Sequence, residues 1–313
     1  MLIARNHLIE EYRMNKRKKA VIQHALQLFV ENGIAKTSIQ QIIERAGISK
    51  GTFYNYFSSK TECVEAILEQ ARYDAALLRA ELMIGKDPTD IHVFANQIAV
   101  LWKINQDSGL DVLYEEILHS GEVELKELVL RHRLLEFEWF SLRLCEIYGE
   151  EMRHYGFEAA VLFYGMLQYL SFSCKILNQK STSIEEMAST LLKYLEKIID
   201  LMLHEKTAIL NSDKVNIFLS VSKKQIHFDI SEIKTKFEEL AKQNLTGPQQ
   251  EIVQAILEEF NRESTRTLIL NAFLKVLIEV FEGSEFEQEV KEMASLIWYD
   301  VRAKQLRQRL LTK

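Results

Sequence analysis

Glycine and proline are scarce in this chain, eleven and two among 313 residues, about a third of ordinary usage. A sequence so poor in turn formers excludes a sandwich or barrel of many short strands and favours long, uninterrupted helices. Cysteine is nearly absent as well. Cys63, Cys145 and Cys174 are odd in number, far apart and without CxxC spacing, which argues against a disulfide framework or a zinc knuckle. The longest uncharged run, Ala159 to Cys174, falls short of the ~20 residues of a spanning helix. The segment MLIARNHLIEEYRMNKRKK has no apolar stretch ahead of its basic cluster and does not fit a secretory signal. A soluble, cytoplasmic protein with no membrane partner is the expectation. There is also no Gly-rich phosphate loop and no nucleophile elbow, so neither an enzyme nor a cofactor is expected. Glu115, Glu116 and His119 have the spacing of one helix face. With no second histidine or thiol nearby they read as a solvated face, not a metal site.

What is present is apolar enough to build a large core: 47% hydrophobic and 27% charged residues, on a length that favours more than one lobe. The charge is unevenly placed. Between Arg13 and Lys60 stand nine basic residues (Arg13, Lys16, Arg17, Lys18, Lys19, Lys36, Arg45, Lys50, Lys60) against Glu31 and Glu44. The net charge of −6 therefore divides into +7 on this stretch and −13 on the rest. A small basic module on an acidic body suits a partner made of phosphates.

Within the basic stretch, Ile22, Ala25, Leu26 and Phe29 recur at helical spacing and predict a helix over 15–32 that ends at Gly33. Thr37 and Gln40 have capping-box spacing, and Ile39, Ile42, Ile43 and Ala46 predict a second, short helix closed by Gly47. The run AGISKGTFYNYFSSK then gives a tight turn, a two-turn helix with Phe53 and Phe57 inward, and a fresh cap at Ser59 with Glu62 behind it. This is a helix-turn-helix pattern. Its third helix leaves Ser49, Lys50, Thr52, Tyr54, Asn55 and Tyr56 on other faces, and their chemistry suits DNA. Lys50 can neutralise a phosphate or reach guanine, Thr52 can bond phosphate, and Asn55 can pair with adenine. Tyr54 and Tyr56 offer hydroxyls to phosphates. Gly51 has two readings: close backbone approach to phosphate, or tolerance near a helix start. The cluster around Lys16 and Arg17 reads as a basic arm or first turn that adds nonspecific affinity, or as a solvated helix start.

The residues Phe29, Gly33, Thr37, Ile42, Ala46, Gly47, Ser49, Lys50, Gly51, Thr52, Tyr54, Phe57, Ser59 and Lys60 together resemble the TetR family of transcriptional regulators, over about residues 15–70. The resemblance implies an all-α protein acting as a homodimer on double-stranded DNA. Each third helix would enter a major groove of a palindromic operator, while Thr37, Ser38, Gln40 and Lys60 hold phosphates. Phe53 departs from the family, where an aliphatic residue is also common. The variable position of Asn55 leaves the operator open.

After this head (1–70), helices are expected over 59–83, 89–106, 110–119, 122–153, 157–178 and 184–204, punctuated by short Gly, Ser and Asn stretches. The resemblance makes 71–205 an effector-binding and dimerisation domain. Ala159–Cys174 is apolar nearly all round, so Leu162, Met166, Tyr169 and Leu170 are expected at a subunit interface. Leu191, Leu195, Ile198 and Met202 supply the complementary stripe; a central core helix is the other reading. Trp102, Tyr114, Phe137, Phe140, Phe163 and Tyr164 are candidates to line a pocket for an apolar or aromatic small-molecule effector, with plain core as the alternative.

The family pattern ends near Glu205. In 206–313, Val215–Val221 and Gln225–Ile230 allow a small hairpin, and helices are expected over 231–244, 248–261, 264–281 and 286–311. This extension reads equally as a shortened repeat of the body, a continuation of the ligand domain or a partner surface. Two functions follow: a ligand-responsive regulator, most simply a repressor, or a DNA-bound protein-interaction factor without a small ligand.

Overall fold

The computed structural model describes residues 2–177, 182–210, 215, 230–262 and 266–311, with the backbone alone for residues 2–16, 230, 231, 299, 300 and 302–311. Among the described residues there are thirteen α-helices and no strand. They are α1 (Leu2–Asn32), α2 (Ile39–Ala46), α3 (Lys50–Tyr56), α4 (Lys60–Met83), α5 (Ile91–Ser108), α6 (Leu110–His119), α7 (Val123–Tyr148), α8 (Gly156–Ile176), α9 (Ile184–Glu205), α10 (Ile230–Leu240), α11 (Gly247–Phe260), α12 (Thr267–Phe281) and α13 (Glu287–Leu311). The all-α expectation holds. The hairpin expected over 215–230 falls, apart from Val215 and Ile230, outside the described residues.

At three boundaries the difference from the sequence reading has a clear local reason. Helix α1 begins at Leu2, well before Asn15, because neither Gly nor Pro interrupts the chain before Gly33. The cap of α2 is Ser38, not Thr37: the Ser38 hydroxyl accepts the Gln41 N–H at 3.2 Å, and the Gln41 side-chain oxygen accepts the Ser38 N–H at 2.8 Å. Helix α7 stops at Tyr148 because Gly149 takes a φ of 95°, and residues Glu150–His154 form a single 3-10 turn.

The helices enclose three hydrophobic cores. The first joins α1, α2 and α3 to α4 through Ile22, Phe29, Ile42, Phe53, Phe57 and Ile67, and continues into α6 and α7 through Leu113, Ile117 and Val129. The second packs α5, α7, α8 and α9 around Phe94, Phe140, Phe163, Leu191 and Ile199. The third belongs to α10–α13, with Phe237, Ile256, Leu274, Phe281 and Ile297. Each fully buried Phe, Leu or Ile contributes roughly 1.5–3 kcal/mol. Helix α4 runs along all three. Its first half gives Val64, Ile67 and Leu68 to the head core, Tyr73 and Leu77 pack on the third core, and Arg79 hydrogen-bonds into the body.

Helix α8, 21 residues, is long and apolar enough by length and composition to cross a membrane. Here it packs between α7 and α9, with Ala159, Ala160, Phe163 and Leu167 fully buried.

Gly33 shows how closely head and body fit. Its φ is 84°, and a Cβ there would lie 2.8 Å from Oε1 of Glu116 on α6. Gly33→Ala therefore meets both backbone strain and a clash, and is expected to cost about 1 kcal/mol or more, read as a lower midpoint in urea unfolding.

Candidate nucleic-acid interface

The third helix is short because its two ends are fixed by side chains close in sequence. The Ser49 hydroxyl accepts the Thr52 N–H at 3.1 Å and pairs with the Thr52 hydroxyl at 2.8 Å, while Phe57 ends the helix in extended backbone. Phe53 and Phe57 sink into the head core, and their rings meet at 5.4 Å. That orientation turns Lys50, Gly51, Tyr54 and Asn55 outward, with Tyr54 47% exposed. Thr52 and Tyr56 are half-buried, and Tyr56 leans on the head core. At Gly51 a Cβ would meet nothing closer than the Ser49 hydroxyl at 3.8 Å. The chain itself therefore does not require glycine there, and the bare backbone faces outward.

On α2, Ser38 and Gln40 are exposed, as is Arg17 on α1. Ser38 is occupied by its capping box, and the Gln40 amide donates to Glu44 at 2.8 Å. Lys16 lies on α1, its side chain outside the described residues. Lys36, exposed on the α1–α2 connection, belongs to the same outward set. Loop position gave no periodic signal for it.

Two expected phosphate ligands turn inward. The Thr37 side chain is buried, and its hydroxyl donates to the carbonyls of Gly33 at 2.8 Å and Leu28 at 3.2 Å. The Lys60 ammonium donates to the carbonyls of Ile34 at 2.6 Å and Thr37 at 3.2 Å. Lys60 thereby satisfies carbonyls of the α1–α2 connection, and Thr37 ties that connection to the end of α1. Glu116 holds the same connection from the body side by accepting the Ile34 N–H at 2.9 Å. Of the trio set aside as a solvated face, Glu116 is half-buried and serves this contact. Head packing also silences Cys63, whose thiol is pushed up to about 12 by burial.

In the body, Phe137, Phe140, Phe163 and Tyr164 do come together: Phe140 meets Phe163 at 4.7 Å, and Tyr164 meets both Phe137 and Phe140 at 5.4 Å. Phe140 and Phe163 are fully buried. Trp102 packs at the edge of this body core, whereas Tyr114 leans on the head core instead. Sequence reasoning missed the polar groups beside the rings. Arg79 stacks on Trp139 at 3.4 Å and forms a two-pronged pair with Glu136 at 2.5 and 2.9 Å. Tyr164 donates to the same carboxylate at 2.5 Å. Gln97 accepts from Arg143 at 3.1 Å, and Arg143 in turn pairs with Glu146 and donates to the Pro88 carbonyl at 2.9 Å. The signal was charge at core-facing helical positions, which reads as surface until the neighbours are known.

The expected subunit stripe divides. On α8, Leu162, Tyr169 and Leu170 are exposed, Tyr169 by 74%, and Met166 is half-buried. On α9, Leu191, Leu195 and Met202 are buried in their own body core, so they do not face outward; Ile198 is half-buried against it. The apolar groups α9 does expose are Tyr194 and Leu201, alongside Phe172 and Ile176 of α8.

An outward helix of this kind on a three-helix head defines a helix-turn-helix DNA-binding protein. Residues 21–67 match the family model described as bacterial regulatory proteins, tetR family. The chain is 27% identical over 190 residues to YuxN of Bacillus subtilis (strain 168), an uncharacterized HTH-type transcriptional regulator, covering 59% of this chain and 64% of YuxN. YerO of the same strain, also an uncharacterized HTH-type transcriptional regulator, is 24% identical over 295 residues, covering 91% of this chain and 96% of YerO. A solved structure titled flavonoid-responsive regulator FrrA aligns with a TM-score of 0.44 and 24% identity, over 59% of this chain and 97% of that one. Residues 21–67 thus carry a head of the tetR type, and the relatives that the chain resembles over a longer span are HTH-type transcriptional regulators.

Two measurements follow from this geometry. Thr37→Val removes a buried donor from two carbonyls and is expected to cost about 1 kcal/mol of stability, seen as a lower melting temperature. His132 is buried on α7, and burial first, then the charges of Arg72 and Arg131, hold it down to about 3 from the ordinary 6.5. Its folded form is neutral, so the unfolded chain binds the extra proton. That contribution is complete above pH 6.5 and is lost progressively as pH falls towards 3. His132→Phe should flatten this part of the stability-versus-pH curve in urea titrations.

Proposed function

We propose that the protein is a repressor that binds a palindromic operator as a homodimer and is released by a small apolar or aromatic effector. The observation that carries this reading is the outward set Lys50, Tyr54 and Asn55 on a helix whose opposite side is locked by Phe53 and Phe57. Ser38, Gln40, Ser49, Gly51, Thr52, Tyr56 and the basic groups Lys16, Arg17 and Lys36 flank it in the role of backbone contacts. Thr37 and Lys60 act behind this surface by holding the α1–α2 connection in place.

Two half-sites demand two heads. The apolar face of α8 and α9, from Leu162, Met166, Tyr169, Leu170, Phe172 and Ile176 to Tyr194 and Leu201, is the surface on which a second copy packs. The effector enters the body beside Trp102, Phe137 and Tyr164, with Phe140 and Phe163 as the packed floor. Because Arg79 of α4 is tied to Glu136 and Tyr164 there, a ligand that displaces this pairing moves the helix that carries the head. Coupling of about 1–3 kcal/mol, roughly 5- to 150-fold, suffices for release.

A second reading, a DNA-bound protein-interaction factor, draws on α12, where Leu268 is 85% exposed and Val276 lies two turns further along the same side. A ligand that lowers operator affinity separates the first reading from the second.

The test is fluorescence anisotropy with palindromic fragments. Lys50→Ala and Tyr54→Ala are each expected to weaken operator binding about tenfold or more while light scattering still reports a dimer. Leu170→Asp is expected to give a monomer that binds half-sites weakly. Equal affinity for every sequence, or a monomeric wild type, would sink the proposal.

A further inference from the structure

Among the described residues the extension seats mainly on α4, the helix that leads out of the DNA head. On α4, Tyr73 and Leu77 pack against the core of α10–α13, as does Ile84 just beyond its end. The Lys291 ammonium of α13 lies 3.5 Å from Glu81 of α4 and 3.1 Å from Glu287 of its own helix. Gly85, at φ 71°, abuts the Lys275 side chain of α12 so closely that a Cβ would lie 2.9 Å from its Cδ. Tyr73 is touched from the head as well: Lys19 of α1 sits over its ring at 5.2 Å. Head, linking helix and extension core thus meet at the Tyr73 ring.

A helix is stiff over this length, and packed cores shift between discrete arrangements instead of deforming smoothly. Helix α4 therefore cannot tilt to move the head without changing its seat on α13. We propose that the carboxy-terminal module is a regulatory brace: its seating on α4 sets operator affinity, and anything that loosens or tightens the seat acts on DNA binding with no ligand needed at the body's aromatic core. The inference rests on the DNA-binding reading above. It assigns residues 230–311 a role in control, and the alignment with YerO along nearly its whole length is compatible with a relative built the same way.

The test uses the full chain with Leu77→Asp, the milder Leu77→Ala, the reversals Lys291→Glu and Glu81→Lys, and the double reversal. None of these positions lies on the DNA-facing surface. Operator affinity is measured by anisotropy and local opening by amide hydrogen exchange. The expected result is a change in operator Kd of at least fivefold for Leu77→Asp. Faster exchange should appear along α13, α4 and residues 21–67, with the body helices α8 and α9 unchanged. The double reversal should return towards wild type. If Leu77→Asp does not fold, Leu77→Ala and the reversals are read in its place. Faster exchange confined to α13 and its seat, with operator Kd unchanged, overturns the brace. Should the wild type bind no operator, the DNA-binding reading fails. The brace is then judged by whether exchange spreads from the seat into residues 21–67.

Discussion

Everything in this molecule hangs on α4. It is one continuous helix, Lys60–Met83, and it packs in succession on the head core, the third core and the body. Its register cannot be changed for one neighbour alone. The side chains that meet the three partners are spaced along a single rigid rod, so a rotation that improves one contact spoils the other two. The rod ends at Met83, with Ile84 in extended backbone, and a positive φ at Gly85 then lets the chain turn away.

The second constraint is the cost of burying polar groups. Several charged side chains that reach into the described interior are engaged on more than one side. Arg79 meets Glu136, a backbone carbonyl and the face of Trp139. Lys60 meets two carbonyls of the α1–α2 connection, and Glu259 on α11, 1% exposed, is matched by Arg266 at the start of α12. Such pairs add little net stability, because desolvation offsets most of their attraction, but an unmatched partner is costly. They therefore fix which helix sits beside which. The Arg79–Glu136 pair is the case where this matters most, since it ties α4 to α7 at the rings of the body.

From these constraints the DNA-facing surface follows as a by-product of packing. Phe53 and Phe57 choose the side of α3 that is buried, and the remaining residues have no alternative but to face out. The connection between α1 and α2 is held from two directions, by Lys60 of α4 and by Glu116 of α6, so the position of α2 and α3 depends on helices outside the head. A head whose core runs on into Leu113, Ile117 and Val129 is not a bead on a string. It is one end of a continuous structure, which is what a regulator needs if a distant event is to be felt at the DNA.

Much of this was legible in the residues. Helical spacing of Ile22, Ala25 and Phe29, the glycines at 33 and 47 and the pair Phe53 and Phe57 determined the helix-turn-helix and its outward residues, because these signals act over a turn or two of chain. The scarcity of glycine and proline determined an all-helical protein for the same local reason. Tertiary structure decided the rest. Thr37 and Lys60 carry the chemistry of phosphate ligands, and only the carbonyls beside them, of Leu28, Gly33, Ile34 and Thr37, reveal that they bond within the head. Leu191, Leu195 and Met202 look like an interface stripe, but which side of an apolar helix meets its own chain is settled by the neighbours, and α5 and α8 claim that side. Arg79 and Glu136 lie 57 residues apart, and their pairing is a property of how α4 and α7 cross. Local spacing carries the period of a helix, whereas the choice of which buried charge answers which, and of which core a helix serves, is made by contacts between residues far apart in the chain.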